Sequence, residues 1–204
     1  LPEGQYLLQT DEQYREAVAF GWAVGSYRFD RYKKNDKPQA ILAVSDGALV
    51  FRAENYAKAV NITRDLINTP AADMMPQNLA DTLQTMAAEF GAQLEQIIGD
   101  DLLTQNYPTI HAVGRASVHK PRLIDLHWGK ESDPKVTLVG KGVCFDSGGL
   151  DLKGAGGMRY MKKDMGGAAH VIGLAHLIMA FKLPVRLRVL VPAVENAVSD
   201  NAMR

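Results

Sequence analysis

A single cysteine, Cys144, leaves the chain unable to close an internal disulfide and gives no reason to place it in an oxidising compartment, so the cytoplasm is the default expectation. An excess of either charge is also missing: 23 basic residues stand against 23 acidic ones among 204. Without a long-range positive field, neither nucleic acid nor an anionic membrane is an expected partner, and a small or peptide-like ligand fits better. No run approaches the roughly 18 unbroken apolar residues of a membrane span. No basic-then-apolar signal segment opens the chain, and there are no repeats or low-complexity tracts. The first residue is Leu1 rather than Met, so the natural N-terminus is expected to lie elsewhere. What is present, 47 % hydrophobic and 23 % charged residues, is the composition of a globular protein able to bury one good-sized core.

Apolar spacing marks the elements. Residues 11–27 place Tyr14, Ala17, Val18, Trp22 and Val24 near helical spacing after Asp11, a residue type that can cap. The charged stretch RFDRYKKNDK breaks the pattern. A second helix is predicted over about 48–67, ended by Asn68-Thr69-Pro70 because the residue before proline is pushed out of the helical region. Pro76 opens a third, whose Leu79, Leu83, Met86 and Phe90 recur as one core stripe. Beyond Gly91 the pattern shifts to short Val, Ile and Leu-rich runs: QLEQII, RLIDLHW, KVTLVG and VRLRVLVP. In the last of these Val185, Leu187, Val189 and Val191 share a face. The segment from Met165 to Phe181 is apolar nearly all round and is predicted as a buried helix. Strands alternating with helices imply an α/β fold, with a mixed, mainly parallel sheet flanked and covered on both sides by helices.

Ten of the 18 glycines fall between Gly140 and Gly173. Such a cluster marks turns with positive φ or close approach of backbone to a ligand, and plain tight turns between strand and helix remain one reading. The same segment carries Lys141, Asp146, Asp151, Lys153 and Asp164, between the run KVTLVG and the buried helix. Carboxylates and amines brought to a strand end at the edge of a core make a site candidate. Arg159, Lys162 and Lys163 read as solvated charges.

Phosphate chemistry fits poorly. The pair Gly140-Lys141 is followed by Gly142, not by the Ser or Thr of a P-loop, and G-x-G-x-x-G is missing where strand meets loop. Cys144 lies between Val143 and Phe145 with no base identified and reads as a packed thiol. His170 and His176, six residues apart, face different sides of a helix and belong to no familiar metal spacing. Any metal here must be held mainly by oxygen.

Two segments, GKGVCFDSGGLDLK and MKKDMGGAA, resemble the M17 leucyl aminopeptidases, supported by ITRDLINTPAADMMPQNLA and YPTIHAVGRAS upstream and VPAVENAVSDNAMR downstream. The wording YPTIHAVGR is more similar to the peptidase B side of the family. The resemblance implies residues 1–30 as the trailing linker and helix of a mostly absent N-terminal domain, and 31–204 as the first part of a metallopeptidase catalytic domain. It implies two divalent ions, zinc or manganese, with Lys141, Asp146 and Asp164 as metal ligands, Asp146 being the shared carboxylate. Lys153 then stabilises the developing oxyanion. A lysine ligates a metal only as the neutral amine, so Lys141 and Lys153 take opposite protonation states; burial and the cations together are expected to neutralise Lys141. The substrate implied is a peptide with a leucine-like first residue, whose free α-amine coordinates one ion, and the assembly implied is a homohexamer.

The family's N-T-D-A-E-G-R segment, which completes the metal set, does not occur in these residues. An internal piece of the enzyme, inactive alone, is therefore expected. Two other classes stand beside the enzyme: a metal-free remnant serving as a binding or assembly module, and a DNA-binding accessory, to which the neutral charge lends nothing.

Overall fold

The computed structural model describes residues 2–200 and 202. The chain divides into two compact units, Leu1–Ile62 and Thr63–Arg204. The division falls inside a helix.

In the first unit, strands β1 (Gln5–Leu7) and β2 (Ile41–Ala43) pair in parallel, Tyr6 opposite Leu42, with helix α1 (Glu12–Gly25) between them in sequence. Helix α2 (Gly47–Asn68) follows. Its first turn is capped by Asp46 Oδ1, which accepts from the backbone N–H of Ala48 at 2.9 Å and Leu49 at 3.2 Å. Asp11, by contrast, makes no side-chain cap; only its carbonyl accepts, from Tyr14 N–H at 3.0 Å. The packing face of α1 also differs from the expected one. Tyr14 and Val18 are exposed, and the helix buries Ala19 in a small cluster with Leu49 and Ala53. A short side chain there lets two helices approach, so contact falls on the alanine rather than on the larger apolar residues.

The second unit holds α3 (Pro76–Phe90), β3 (Gln93–Ile98), α4 (Asp101–Thr104), α5 (Pro108–Gly114), β4 (Arg122–Trp128), β5 (Lys135–Val139), β6 (Gly142–Asp146), α6 (Ala155–Met158), α7 (Gly166–Ala180) and β7 (Arg186–Asn196). Helix α3 begins with Pro76, whose missing N–H costs nothing in a first turn, and ends on Gly91 at φ 67°, a left-handed cap. Leu79 and Leu83 are wholly buried, as the stripe requires.

The sheet runs β3-β4-β7-β5, with β6 also on β7. It is mixed: β3 to β4 and β4 to β7 are antiparallel, β5 and β6 to β7 parallel. Antiparallel pairing thus carries more of the sheet than the alternation of elements suggested. Leu187, Val189 and Val191 are fully buried, and α3 and α7 pack on the sheet. Cover is not complete on both faces among the described residues. Lys135, Thr137 and Val139 of β5 are exposed, and on this open face Asp125 takes a two-pronged ion pair from Arg188, with Nη2 to Oδ2 at 2.6 Å. Charge pairing keeps that face compatible with water where a helix was expected.

Candidate functional site

Strands β5 and β6 are one path along β7. Val139 pairs with Leu190 and Gly142 with Ala193, a continuous register, and Gly140 N–H donates to Leu190 O at 3.0 Å across the gap. The break at Gly140-Lys141 is where α7 docks. A β-carbon on Gly140 would meet Val171 Cγ2 at 2.5 Å and Ala168 Cα at 2.7 Å; one on Gly142 would meet Pro192 O at 2.7 Å. Ala168 N–H donates to Lys141 O at 3.0 Å, so the strand break and the first turn of the helix satisfy each other. Farther on, Gly148 (φ 91°) and Gly149 (φ 67°) take left-handed conformations that turn the chain after Asp146. Much of the glycine cluster is therefore explained by close backbone packing and tight turning. Gly154, Gly156 and Gly157 have open space where a side chain would be.

This scaffold sets two lysine–aspartate pairs beside β6. Lys141 leaves the break and places Nζ 3.0 Å from Oδ1 and 2.8 Å from Oδ2 of Asp164, which follows the 3-10 turn Met161–Lys163 packed on β6. At the other end of β6, Lys153 Nζ lies 2.5 Å from Asp146 Oδ2. Asp146 Oδ1 accepts from Asn196 Nδ2 at 2.7 Å and from Gly148 N–H at 3.0 Å. Burial pushes the Asp146 carboxyl up, but the bonds from Lys153, Asn196 and Gly148 and the Lys153 charge outweigh it and hold the group below the usual carboxylate range.

The structure brings Lys141 to Asp164 and Asp146 to Lys153. Among the described residues no three His, Cys, Asp or Glu side chains gather as a cation cage. The donor set nonetheless suits a divalent cation in two respects. Asp164 Oδ2 is buried with the Lys141 ammonium beside it as an ion-pair partner, and each aspartate is balanced by an ammonium, a monovalent stand-in for a harder ion. The Lys141 side chain is 58 % exposed, so the burial expected at this position is not found.

Other candidates settle plainly. Asp151 is exposed, as are Arg159 and Lys163, but Lys162 donates from Nζ to Asn68 O at 2.9 Å, closing a carbonyl at the end of α2 rather than standing in solvent. His176 is buried, edge-on to Phe90 at 5.3 Å, and His170 is exposed, its Nδ1 2.6 Å from Gly166 O. Cys144 is fully buried, and burial pushes its thiol far up. Two features escaped the sequence reading. Asn196 reaches Asp146 from 50 positions away; the segment VPAVENAV carried it, but nothing local marks an asparagine at a strand end as polar support for a site. A cavity of about 340 Å³ is lined by apolar Phe145, Leu152, Met158 and Val198 and by polar Glu195 and Asn196, residues drawn from three separate stretches.

Residues 61–204 match the cytosol aminopeptidase family, catalytic domain, and residues 1–45 match the M17 aminopeptidase N-terminal domain. A probable cytosol aminopeptidase from Roseiflexus castenholzii is 36 % identical over 211 residues, covering 96 % of this chain and 43 % of the relative. The crystal structure of a cytosol aminopeptidase from Coxiella burnetii superposes with a TM-score of 0.93 at 50 % identity, over 100 % of this chain and 45 % of that one. The bottromycin maturation enzyme BotP in complex with Mn gives 0.85 at 34 % identity, over 98 % of this chain and 46 % of that one. The chain thus spans less than half the length of these relatives.

Proposed function

The chain belongs to the cytosol aminopeptidase family, M17, and from that premise we propose that the whole protein is a two-metal aminopeptidase removing leucine-like residues from the N-terminus of peptides. The observation that carries the site assignment is the placing of Lys141 with Asp164 and of Lys153 with Asp146 at opposite ends of one short strand. Two divalent cations, when bound, supply Lewis acidity and lower the cost of deprotonating the attacking water. Zinc and manganese both suit ligands of carboxylate oxygen with a single amine, and the related BotP structure is a complex with Mn.

On this reading Asp146 offers the shared carboxylate, with Asp164 and Lys141 as ligands to a single ion. Binding would displace the Lys141 ammonium from Asp164, since a lysine donates a lone pair only as the neutral amine. Lys153 keeps its charge. Held beside Asp146 by a bond of 2.5 Å, it is placed to stabilise negative charge developing on the substrate carbonyl. Leucine preference is supported by a structural relative that is a leucyl aminopeptidase, from Trypanosoma cruzi, and by the apolar residues of the 340 Å³ cavity on either side of Asp146 and Lys153 in sequence. A homohexamer and a cytosolic location are further parts of the same reading; no helix among the described residues is long and apolar enough to cross a membrane.

The test is the whole protein stripped of metal, then assayed on leucyl amide with and without manganese or zinc. Activity restored by either ion, abolished by Asp146→Asn and absent on N-acetylated peptide is expected. Full activity after chelation, or cleavage of the blocked peptide, would overturn the proposal.

A further inference from the structure

Asp146 is held by a device the family-matching motifs around Lys141 and Asp164 do not contain. Asp146 and Asn196 are register partners at the ends of β6 and β7, reached after a bulge that follows Val143. There the Asn196 carboxamide donates to Asp146 Oδ1 at 2.7 Å. Asn196 is itself clamped. Its carbonyl accepts two bonds from Ser147, from N–H at 3.0 Å and from Oγ at 2.6 Å. Ser147 in turn accepts at its own carbonyl from Lys153 N–H at 2.9 Å, and its Oγ accepts from Gly149 N–H at 3.2 Å. One residue therefore fixes the orientation of Asp146 through its side chain and the backbone of Lys153 through Ser147.

Chemistry sets the residue type. A bridging carboxylate must present a lone pair from each oxygen, and a donor on Oδ1 fixes the rotation of the group without competing for all of its acceptor capacity. An amide N–H does this with no charge of its own, so it neither repels a cation nor neutralises the carboxylate as a lysine would. The Gly148 N–H at 3.0 Å is a second donor on the same oxygen, so a cation would take an Oδ1 lone pair only in exchange for one of these two bonds, while Oδ2 lies beside Lys153.

We propose that Asn196 is a positioning residue that orients the Asp146 carboxylate for metal binding. The inference rests on the reading of Asp146 as a metal ligand. It is tested by a double-substitution cycle on the whole protein, with Mn²⁺ affinity read from the free-ion electron paramagnetic resonance signal and folding checked by circular dichroism of the metal-free protein. Asn196→Ala is expected to weaken Mn²⁺ binding about 10- to 100-fold, the usual cost of losing a group that orients a ligand. In an Asp146→Ala background the same change is expected to alter affinity less than about 2-fold, because additivity fails for residues that act through one another. If the alanine protein fails to fold, Asn196→Gln, which retains the donor one methylene farther out, takes its place and should show the same non-additivity with a smaller loss. Unchanged affinity in the folded Asn196 variant, or an equal loss in both backgrounds, overturns the positioning role alone. Unchanged affinity in Asp146→Ala overturns the metal reading beneath it.

Discussion

Gly140 and Gly167 face each other so closely that a β-carbon on Gly140 would stand 2.8 Å from the Gly167 carbonyl oxygen. The contact seats α7 in the break between β5 and β6, and the neighbouring positions, Lys141 on one side and Asp164 on the other, meet as a consequence. Gly140→Ala is therefore expected to cost about 1–3 kcal/mol by overpacking, since the obstructing atoms of Ala168 and Gly167 are backbone and cannot rotate away. Urea denaturation measures it. A change below a few tenths of a kcal/mol would show that the helix seats more loosely than these distances.

Arg122 is buried at the start of β4, its Nη1 donating to Gln77 Oε1 at 2.6 Å and Gln96 Oε1 at 3.1 Å. Removing it empties a buried position and takes a charged donor from exposed Gln77 and half-buried Gln96. Arg122→Ala should lose about 1–3 kcal/mol, and the double change Arg122→Ala with Gln96→Ala should lose less than the sum of the single ones. Additive losses would deny the network.

Cys144 is sealed in the core and its thiol is held protonated by burial. A disulfide reagent at pH 8 should label native protein only at the rate of unfolding, and completely once urea is added. Rapid labelling of the folded protein would contradict the packing of β6.

Within the proposed mechanism, Asp146→Asn and Lys153→Ala should fail differently in the whole protein. The first should lose metal and activity together. The second should retain metal while turnover falls about 10²- to 10³-fold, the scale of losing one donor to a developing oxyanion. Metal analysis of both purified variants separates the cases, and heavy metal loss from Lys153→Ala would make that residue a ligand or a structural prop.

Residues 1–204 on their own offer Lys141, Asp146 and Asp164 to a metal, and no further acidic cluster among the described residues. Two cations held close together need more shared negative charge than this. Equilibrium dialysis should find at most one manganese per chain, with no measurable release of leucine from leucyl amide. Two tightly held ions, or turnover, would show that these residues suffice.

Periodicity was enough to place α1, α2, α3 and α7 and the strands β3, β4, β5 and β7, because a repeat of 3.6 or 2 apolar positions is a local property of the chain. Local pattern could not mark β6. GVCFD carries a glycine and leads into a turn, and it is a strand only because β7 runs on past β5 and offers it partners. Nor could it choose the buried face of α1, which depends on what Ala19 meets. Motif resemblance named Lys141, Asp146, Lys153 and Asp164, yet which lysine meets which aspartate follows from the docking of α7 at Gly140, a contact between segments about 30 residues apart. Asn196 is the clearest case. Its bond to Asp146 spans 50 positions, and only the register of two parallel strands, together with a bulge that shifts that register by one, decides that an amide and a carboxylate end side by side.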